Sequence, residues 1–537
     1  MQSLKPPLTP FVDKVPMPQR LVFTEPGRVV IPLETAQHRF HRDLPPSQVW
    51  TYGGSLPGPT IEVNRGVELE VRWENHLTGR LPVVVTVAPE FAVDGVPAQC
   101  MPGRSGGRPD PAAAALSGFA VVHLHGGMTQ ASSDGWTENI AAPGQAMLDA
   151  YPNDQRAAML WYHDHVMGVT RFNVYAGLAG LWIVRDDRER ELELPEGPPY
   201  EVPLLLSDRN FDLDDDGRLT GDLLHKTDPE VMECFSPFTT VNGTVWPHLD
   251  VEPTTYRFRL LNGSNARTYR LVLTRDGEPD HGRITQIGSE GGLLQAPVSI
   301  PGQGLVLASA ERADLLVDFS DLAAATELTL WNTAAAPFDG AFADPVEAGQ
   351  ANIDGLLPYP EVLRIRVGEG RSSRRRIPQV LATDFQRPSD DELGSAVVRA
   401  IALVEQEAPM EGAPPMLTMR ELVLDPVQRI PPSRSSSRNR TARNVSRAGA
   451  RSRHASRTRP PFSRCCTDLR SGGSSTSRAI RIRFTFISTH SGSSTDTRRR
   501  SSSLRTGSRP EERAQRCVSA RLPRTASRTS STTTSSA

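Results

Sequence analysis

The sequence predicts an all-β protein of tandem β-sandwiches followed by a segment of a different kind. Three observations carry this reading. Apolar and polar residues alternate in short runs, Gly, Pro and Asn-Gly turns separate those runs, and few stretches show a helical period. With 537 residues the chain has room for about three domains, each with its own core.

The first domain is placed at residues 20–195. "GVELEVRWENHL" (66–77) alternates as a half-buried strand does, Pro57-Gly58-Pro59 marks a turn, and "GLAGLWIVRD" (177–186) reads as the last strand. Residues 90–118, rich in Gly, Pro and Ala, read as a long surface loop. The second domain is placed at 196–370. "TYRFRLLNG" (255–263) and "DLLVDFSD" (314–321) alternate, and turns are expected at Asn242-Gly243 and Asn262-Gly263. "DLDDDGRLTGDL" (212–223) begins like a calcium loop. Leu223 stands at the twelfth position, where a bidentate Glu belongs, so a polar hairpin turn is expected instead. Residues 371–430 read as a linker, within "RVGEGRSSRRRIPQV", and the start of a third unit at "MLTMRELVLD" (416–425).

Beyond that point the composition changes. The net charge of −2 hides a split: residues 1–430 hold 36 Lys and Arg against 58 Asp and Glu, whereas residues 431–537 hold 24 Arg against four acids. This Arg/Ser-rich tail cannot bury enough apolar surface to offset chain entropy, and disorder is expected. Of the cysteines, Cys100 and Cys234 lie in the acidic part and Cys465, Cys466 and Cys517 in the tail, which is no disulfide framework. "MQSLKPPLTPFVDKVPMPQR" has no apolar run of secretory-signal length, and no stretch approaches the ~18 apolar residues of a membrane helix. The sequence thus predicts no secretory leader and no membrane span.

The chemistry lies in two histidine pairs. "FAVVHLHGGM" (119–128) carries His123 and His125, and "MLWYHDHVMG" (159–168) carries His163 and His165, each pair spaced by two in an apolar, strand-like run. Side chains at i and i+2 of a strand share a face, so each run aims two imidazoles together. Neutral imidazole suits copper, zinc, iron and nickel, and metal binding is the favoured reading over buried histidines satisfied by hydrogen bonds. His38, His41, His76, His225, His248 and His281 are isolated or match no ligand motif and are read as structural or solvated. Asp134, in "SSDGW", is either a turn carboxylate beside Gly135 or a proton-handling group.

"HLHGGMTQASSDGWTEN" and "LWYHDHVMGVTRFNVYAGLAG" resemble the first two copper motifs of the bacterial multicopper oxidases, in particular the spore-coat laccase, bilirubin oxidase and phenoxazinone synthase type. "HRDLPPSQVWTYGGSLPGPTIEV" (41–63), "VNGTVWPHLDVEPTTYRFRLLNGSNARTYRL" (241–271), "IGSEGGLL" (287–294) and "ASAERADLLVDFSD" (308–321) agree, so the resemblance covers about residues 10–425. It implies cupredoxin-like Greek-key sandwiches, two complete and a third incomplete. It also implies a mononuclear type 1 copper that takes single electrons from a small aromatic donor, a phenol or aminophenol. A trinuclear cluster then reduces dioxygen to water. His123 resembles a type 2 ligand and His125, His163 and His165 type 3 ligands, while Asp134 matches an acid placed near the cluster to deliver protons. The implied location is cytoplasmic or spore-coat associated. No membrane and no specific nucleic acid is expected as a partner, and oligomeric state leaves no mark in the sequence.

The family completes both copper sites from its third domain, with a His-Pro-x-His-x-His motif and a His-Cys-His run. Neither occurs here: His454 and His490 are the only histidines after His281, and Cys465-Cys466 has none beside it. The type 1 ligands and half the cluster ligands are missing. Yet "RIRFTFIS" (481–488), read in the frame that joins the last base of one codon to the first two of the next, can spell His-Pro-Val-His-Ile-His-Leu. Arg481-Ile482, Phe484-Thr485 and Phe486-Ile487 supply the histidines. The expectation is a frameshift between about residues 420 and 440 that scrambles the third domain, leaving the chain catalytically incomplete. Two other readings compete: a non-enzymatic cupredoxin scaffold, and a nucleic-acid-binding protein acting through its Arg-rich tail.

Overall fold

Strand Leu69–Asn75 shows how the predicted alternation is realised: Leu69, Val71 and Trp73 enter the core, while Arg72 is exposed. The computed structural model describes residues 7–88, 92–93, 96–227, 233–338, 340, 359–384, 389–397, 399–406 and 416–422. The chain divides into two units, Met1–Arg387 and Pro388–Ala537.

In the first unit, residues 20–185 build one sandwich. Its five-stranded sheet runs in the order Arg20–Phe23, Gly58–Asn64, Ala179–Arg185, Ala158–Asp164, Val122–His125. The facing sheet runs Ala146–Tyr151, Leu69–Asn75, Gly27–His38, Ser47–Tyr52. Between them Trp50, Tyr52, Trp73, Tyr151, Tyr162 and Trp182 are fully buried, and the Tyr162 hydroxyl donates to Pro59 O at 2.7 Å. Such a core supplies large contact area, and the Tyr52 and Tyr151 hydroxyls are buried in it without a hydrogen-bond partner.

Residues 201–367 build a second sandwich. One sheet has seven strands and is centred on Glu201–Arg209, Thr255–Asn262 and Arg312–Asp318. The other holds Tyr269–Arg275, Glu327–Asn332, Glu361–Val367 and shorter strands. A further four-stranded sheet ties the two spans together, because Leu219–Thr227 pairs in parallel with Val83–Val87. The architecture is all-β, as predicted. Residues 214–218 form the turn of a hairpin between Phe211–Leu213 and Leu219–Thr227, and this is the polar turn expected of the calcium-like run.

Two local expectations need correction. Residues 90–118 are not simply a surface loop: Ala98, Gln99 and Cys100 form a buried 3-10 turn, pinned by the Lys226 ammonium, which donates to Met101 O and Gly103 O at 2.6 Å each. Alternation in 255–262 does not mark a solvent face, because every residue of Thr255–Asn262 is buried. Arg257 and Arg259, each 1% exposed, meet Glu189, Glu201 and Asp314 in an ionic cluster that also takes in Arg185 and Glu62 of the first sandwich.

In the second unit, Ser389 caps the helix Asp390–Ser395 through a capping box with Glu392. Met416–Leu422, part of the segment read as starting a third unit, is a strand paired antiparallel with Ala400–Gln406. The Arg-rich tail, 431–537, lies outside the described residues. Among those described, no helix is long and apolar enough to cross a membrane.

Candidate metal centre

Strand Val122–His125 pairs antiparallel with Ala158–Asp164, and the register sets His123 directly opposite His163 and His125 opposite Trp161. The i, i+2 spacing then turns His123 and His125 to one face, beside His163. His165 lies just past the strand end, where its N–H donates to Val121 O at 2.9 Å and extends the pairing. The four rings form one group: His123 lies 5.7, 5.5 and 5.0 Å from the ring centres of His125, His163 and His165. One nitrogen from each of His123, His125 and His163 falls within 4.8 Å of the others.

Backbone carbonyls orient the rings. His123 Nδ1 donates to Asp134 O at 2.6 Å, and His163 Nδ1 donates to Asp164 O at 2.7 Å. Each bond places the proton on Nδ1 and leaves Nε2 with a free lone pair. His163 Nε2 faces His125 Nδ1 at 3.3 Å. His165 Nδ1 is buried without a hydrogen-bond partner, as is the neighbouring Trp161 Nε1. Trp161 closes the group from one side, its ring 4.0 Å from that of His163.

The surroundings of His125, His163 and His165 favour the uncharged ring. Burial first, then the Arg312 cation and the nearness of His123 and His165, push His125 down to about 4. Burial carries His163 well below its usual value and lowers His165 as well. Neutral imidazoles with free lone pairs converging from neighbouring strands are the donor set of a soft-to-borderline transition metal, and copper fits it.

Known proteins agree. A family model described as multicopper oxidase matches residues 34–102 and 115–189, a span containing all four histidines and Asp134. A laccase of Bacillus stratosphericus is 42% identical over 336 residues, 58% of this chain and 60% of that protein. The laccase of Bacillus subtilis is 39% identical over 338 residues, with the same shares. A crystal structure of a multicopper oxidase from Aquifex aeolicus superposes with TM-score 0.54 and 25% identity, covering 70% of each chain.

These matches support a place for the chain among the multicopper oxidases. Copper is the metal that the matched family's description implies. The match spans about 60% of the length of the Bacillus laccases.

The structure gathers His123, His125, His163 and His165 at one place. It sets Asp134 beside them, with a carboxylate oxygen 3.5 Å from His123 Nδ1 and the side chain half exposed. The closer contact is made by the Asp134 backbone, and Gly135 makes it possible: its φ is +74°, and a Cβ there would lie 2.3 Å from Val122 O.

Three residues of the site escaped sequence reasoning. Asp164, between His163 and His165, is fully buried, accepts from the Val121 and Val166 amides, and is pushed by burial up to about 7. Gln155 clamps the turn after His125, accepting from Met128 N at 2.7 Å and donating to Gly126 O at 3.0 Å. Arg312 reaches the same turn from the second sandwich. Gly126-Gly127 was the available signal for the last two, since paired glycines mark a close approach.

The other histidines among the described residues stand apart from the group. His41 pairs with Thr9 O, His248 with Phe11 O and His38 with Gly243 O, while His225 is buried against Phe172 and Tyr175.

Proposed function

We propose that the chain is a laccase-like multicopper oxidase in which His123, His125, His163 and His165 hold copper of an oxygen-reducing cluster. The electrons come from a small phenolic or aminophenolic donor, and dioxygen is the acceptor. The observation that carries this reading is the convergence of one imidazole nitrogen from each of His123, His125 and His163 within 4.8 Å. Bound copper would supply one-electron redox steps and a place for dioxygen. The protein contributes the rest. Asp134 O and Asp164 O hold the His123 and His163 tautomers. The Asp134 carboxylate, half exposed beside His123, is placed to pass protons from solvent.

The reading further holds that this polypeptide is catalytically incomplete, because the sequence contains no in-frame motif for the type 1 ligands or the second half of the cluster. The proposed cause is the frameshift between about residues 420 and 440, supported by the His-Pro-Val-His-Ile-His that residues 481–487 can spell out of frame.

Two experiments test this. Purified chain titrated with copper(II) should bind it through imidazole nitrogen, seen as nitrogen hyperfine structure in electron paramagnetic resonance, with no intense blue absorption and no phenol oxidation. Blue colour with turnover would refute the incompleteness; absence of any bound copper would refute the ligand assignment. Resequencing the gene across the codons for residues 415–537 and beyond should reveal a gained or lost base. An unchanged sequence would remove the frameshift.

A further inference from the structure

Arg312 opens the strand Arg312–Asp318 of the second sandwich, and its guanidinium, anchored there on Glu290, also reaches Met159 O of the first. The side chain is 3% exposed. Its Nη1 donates to Glu290 Oε2 at 2.5 Å and to Ala310 O at 2.9 Å, its Nη2 to Glu290 O at 3.3 Å, and its Nε to Met159 O at 3.3 Å on the strand that carries His163. The Arg312 backbone N–H also donates to Glu290 Oε1. Gly126 follows His125 with φ +86°, and a Cβ built there would lie 2.8 Å from Arg312 Nη2 and 3.1 Å from Leu160 Cδ2. The turn after His125 is therefore gripped between the Gln155 amide and the Arg312 fork.

A buried cation is a costly way to fill space, and more so beside a site built for metal cations. Arginine justifies that cost only where its planar, multidentate fork fixes a geometry that a neutral or flexible side chain would leave loose.

We propose that Arg312 is a positioning residue of the histidine site: held by Glu290, its guanidinium backs the Gly126–Gly127 turn and fixes the direction in which His125 presents its ring. The effect on metal rests on the reading of His125 as a copper ligand; the effect on the ring itself does not.

The test uses the full chain with ring-labelled histidine, observed by nuclear magnetic resonance without metal, the His125 signal being assigned by its loss in H125A. In R312Q and in R312K the His125 ring signals should move, because lysine keeps the charge but not the fork, while those of the exposed His76 stay in place. If R312Q does not yield folded chain, E290Q loosens the same anchor and should move the same signal. An unmoved His125 signal in the folded variants would overturn the proposal.

Copper(II) titration supplies the second arm. R312Q should weaken binding by about tenfold, the range for groups that orient a ligand. In an H125A background the same substitution should change affinity by less than about twofold, and in H123A it should keep its full effect. Equal losses in both backgrounds would mean a general weakening of the fold and would also overturn the proposal. If the wild-type chain binds no copper, the ligand assignment fails, and the ring signals still decide the role of Arg312.

Discussion

The buried ionic cluster between the two sandwiches makes a quantitative prediction. Arg20, Arg185, Arg257 and Arg259 face Glu62, Glu189, Glu201 and Asp314, so the charges balance, with Arg20 at the rim and the others almost wholly enclosed. Glu201 is its hub: its oxygens accept from Arg185 at 2.9 and 2.5 Å, from Arg259 at 2.6 Å and from the Gly197 amide at 2.7 Å. Replacing it with Leu leaves one buried guanidinium charge in excess. Breaking such a pair from one side costs about 3–5 kcal/mol, a large share of the ~5–15 kcal/mol by which a domain is stable.

Removing Arg259 as well restores the balance, because Glu189 keeps Arg257 at 2.7 Å and Asp314 keeps Arg257 at 2.5 Å. The double variant E201L/R259L should therefore be more stable than E201L alone, although it has lost more hydrogen bonds. Urea unfolding followed by the fluorescence of buried Trp182 and its neighbours reads this directly as midpoints at equal slope. A double variant at or below the single would refute the claim that charge balance, not bond count, governs this interface.

Other outcomes follow from single groups. Glu361 is buried with Oε2 unpartnered, and burial pushes its carboxyl from its ordinary 4.5 up to about 7. An acid with a raised folded value costs nothing while both states are protonated below pH 4.5, loses stability from 4.5 to 7, and bears the full cost above 7. E361Q should thus gain up to ~3 kcal/mol on wild type between pH 4.5 and pH 8 in paired urea titrations, and a pH-independent difference would refute this. D134A keeps the backbone carbonyl that orients His123, so copper(II) affinity should stay within about twofold, whereas G135A, which disturbs that carbonyl, should weaken it about tenfold. The reverse order in a copper titration would place the orienting contact on the carboxylate.

Much of this was legible in the sequence, for physical reasons. Alternation at 69–75 reports a one-sided strand, and His-x-His in an apolar run reports two donors on one face, because both signals are local. The buried arginines of 255–262 were not legible. A strand with one polar face reads as solvated unless its partner layer is known, and that layer is supplied here by Glu189, Glu201 and Asp314, far apart in the chain. Arg312 escaped for the same reason: nothing near it in sequence says that its fork ends under Gly126. Local pattern carries the donors, whereas the groups that aim them come from tertiary packing.

The register of two strands explains why so few residues suffice to assemble the donors. His123 and His163 are directly opposed, so His125 on one strand and His165 past the end of the other fall on either side of that pair. A slip of one residue would send His163 to the opposite face and break the group, and the core forbids it. Leu124 and Tyr162 alternate with the histidines and are themselves buried, Tyr162 fixed through its hydroxyl to Pro59. The apolar residues between the histidines thus hold the register, and the register holds the donors. Burial in that core also favours the uncharged ring at His125 and His163, so at neutral pH a metal ion would meet them without displacing a charge. Packing, register and ligand chemistry are one constraint here, and a substitution that loosens Leu124 or Tyr162 should reach the metal site without touching a histidine.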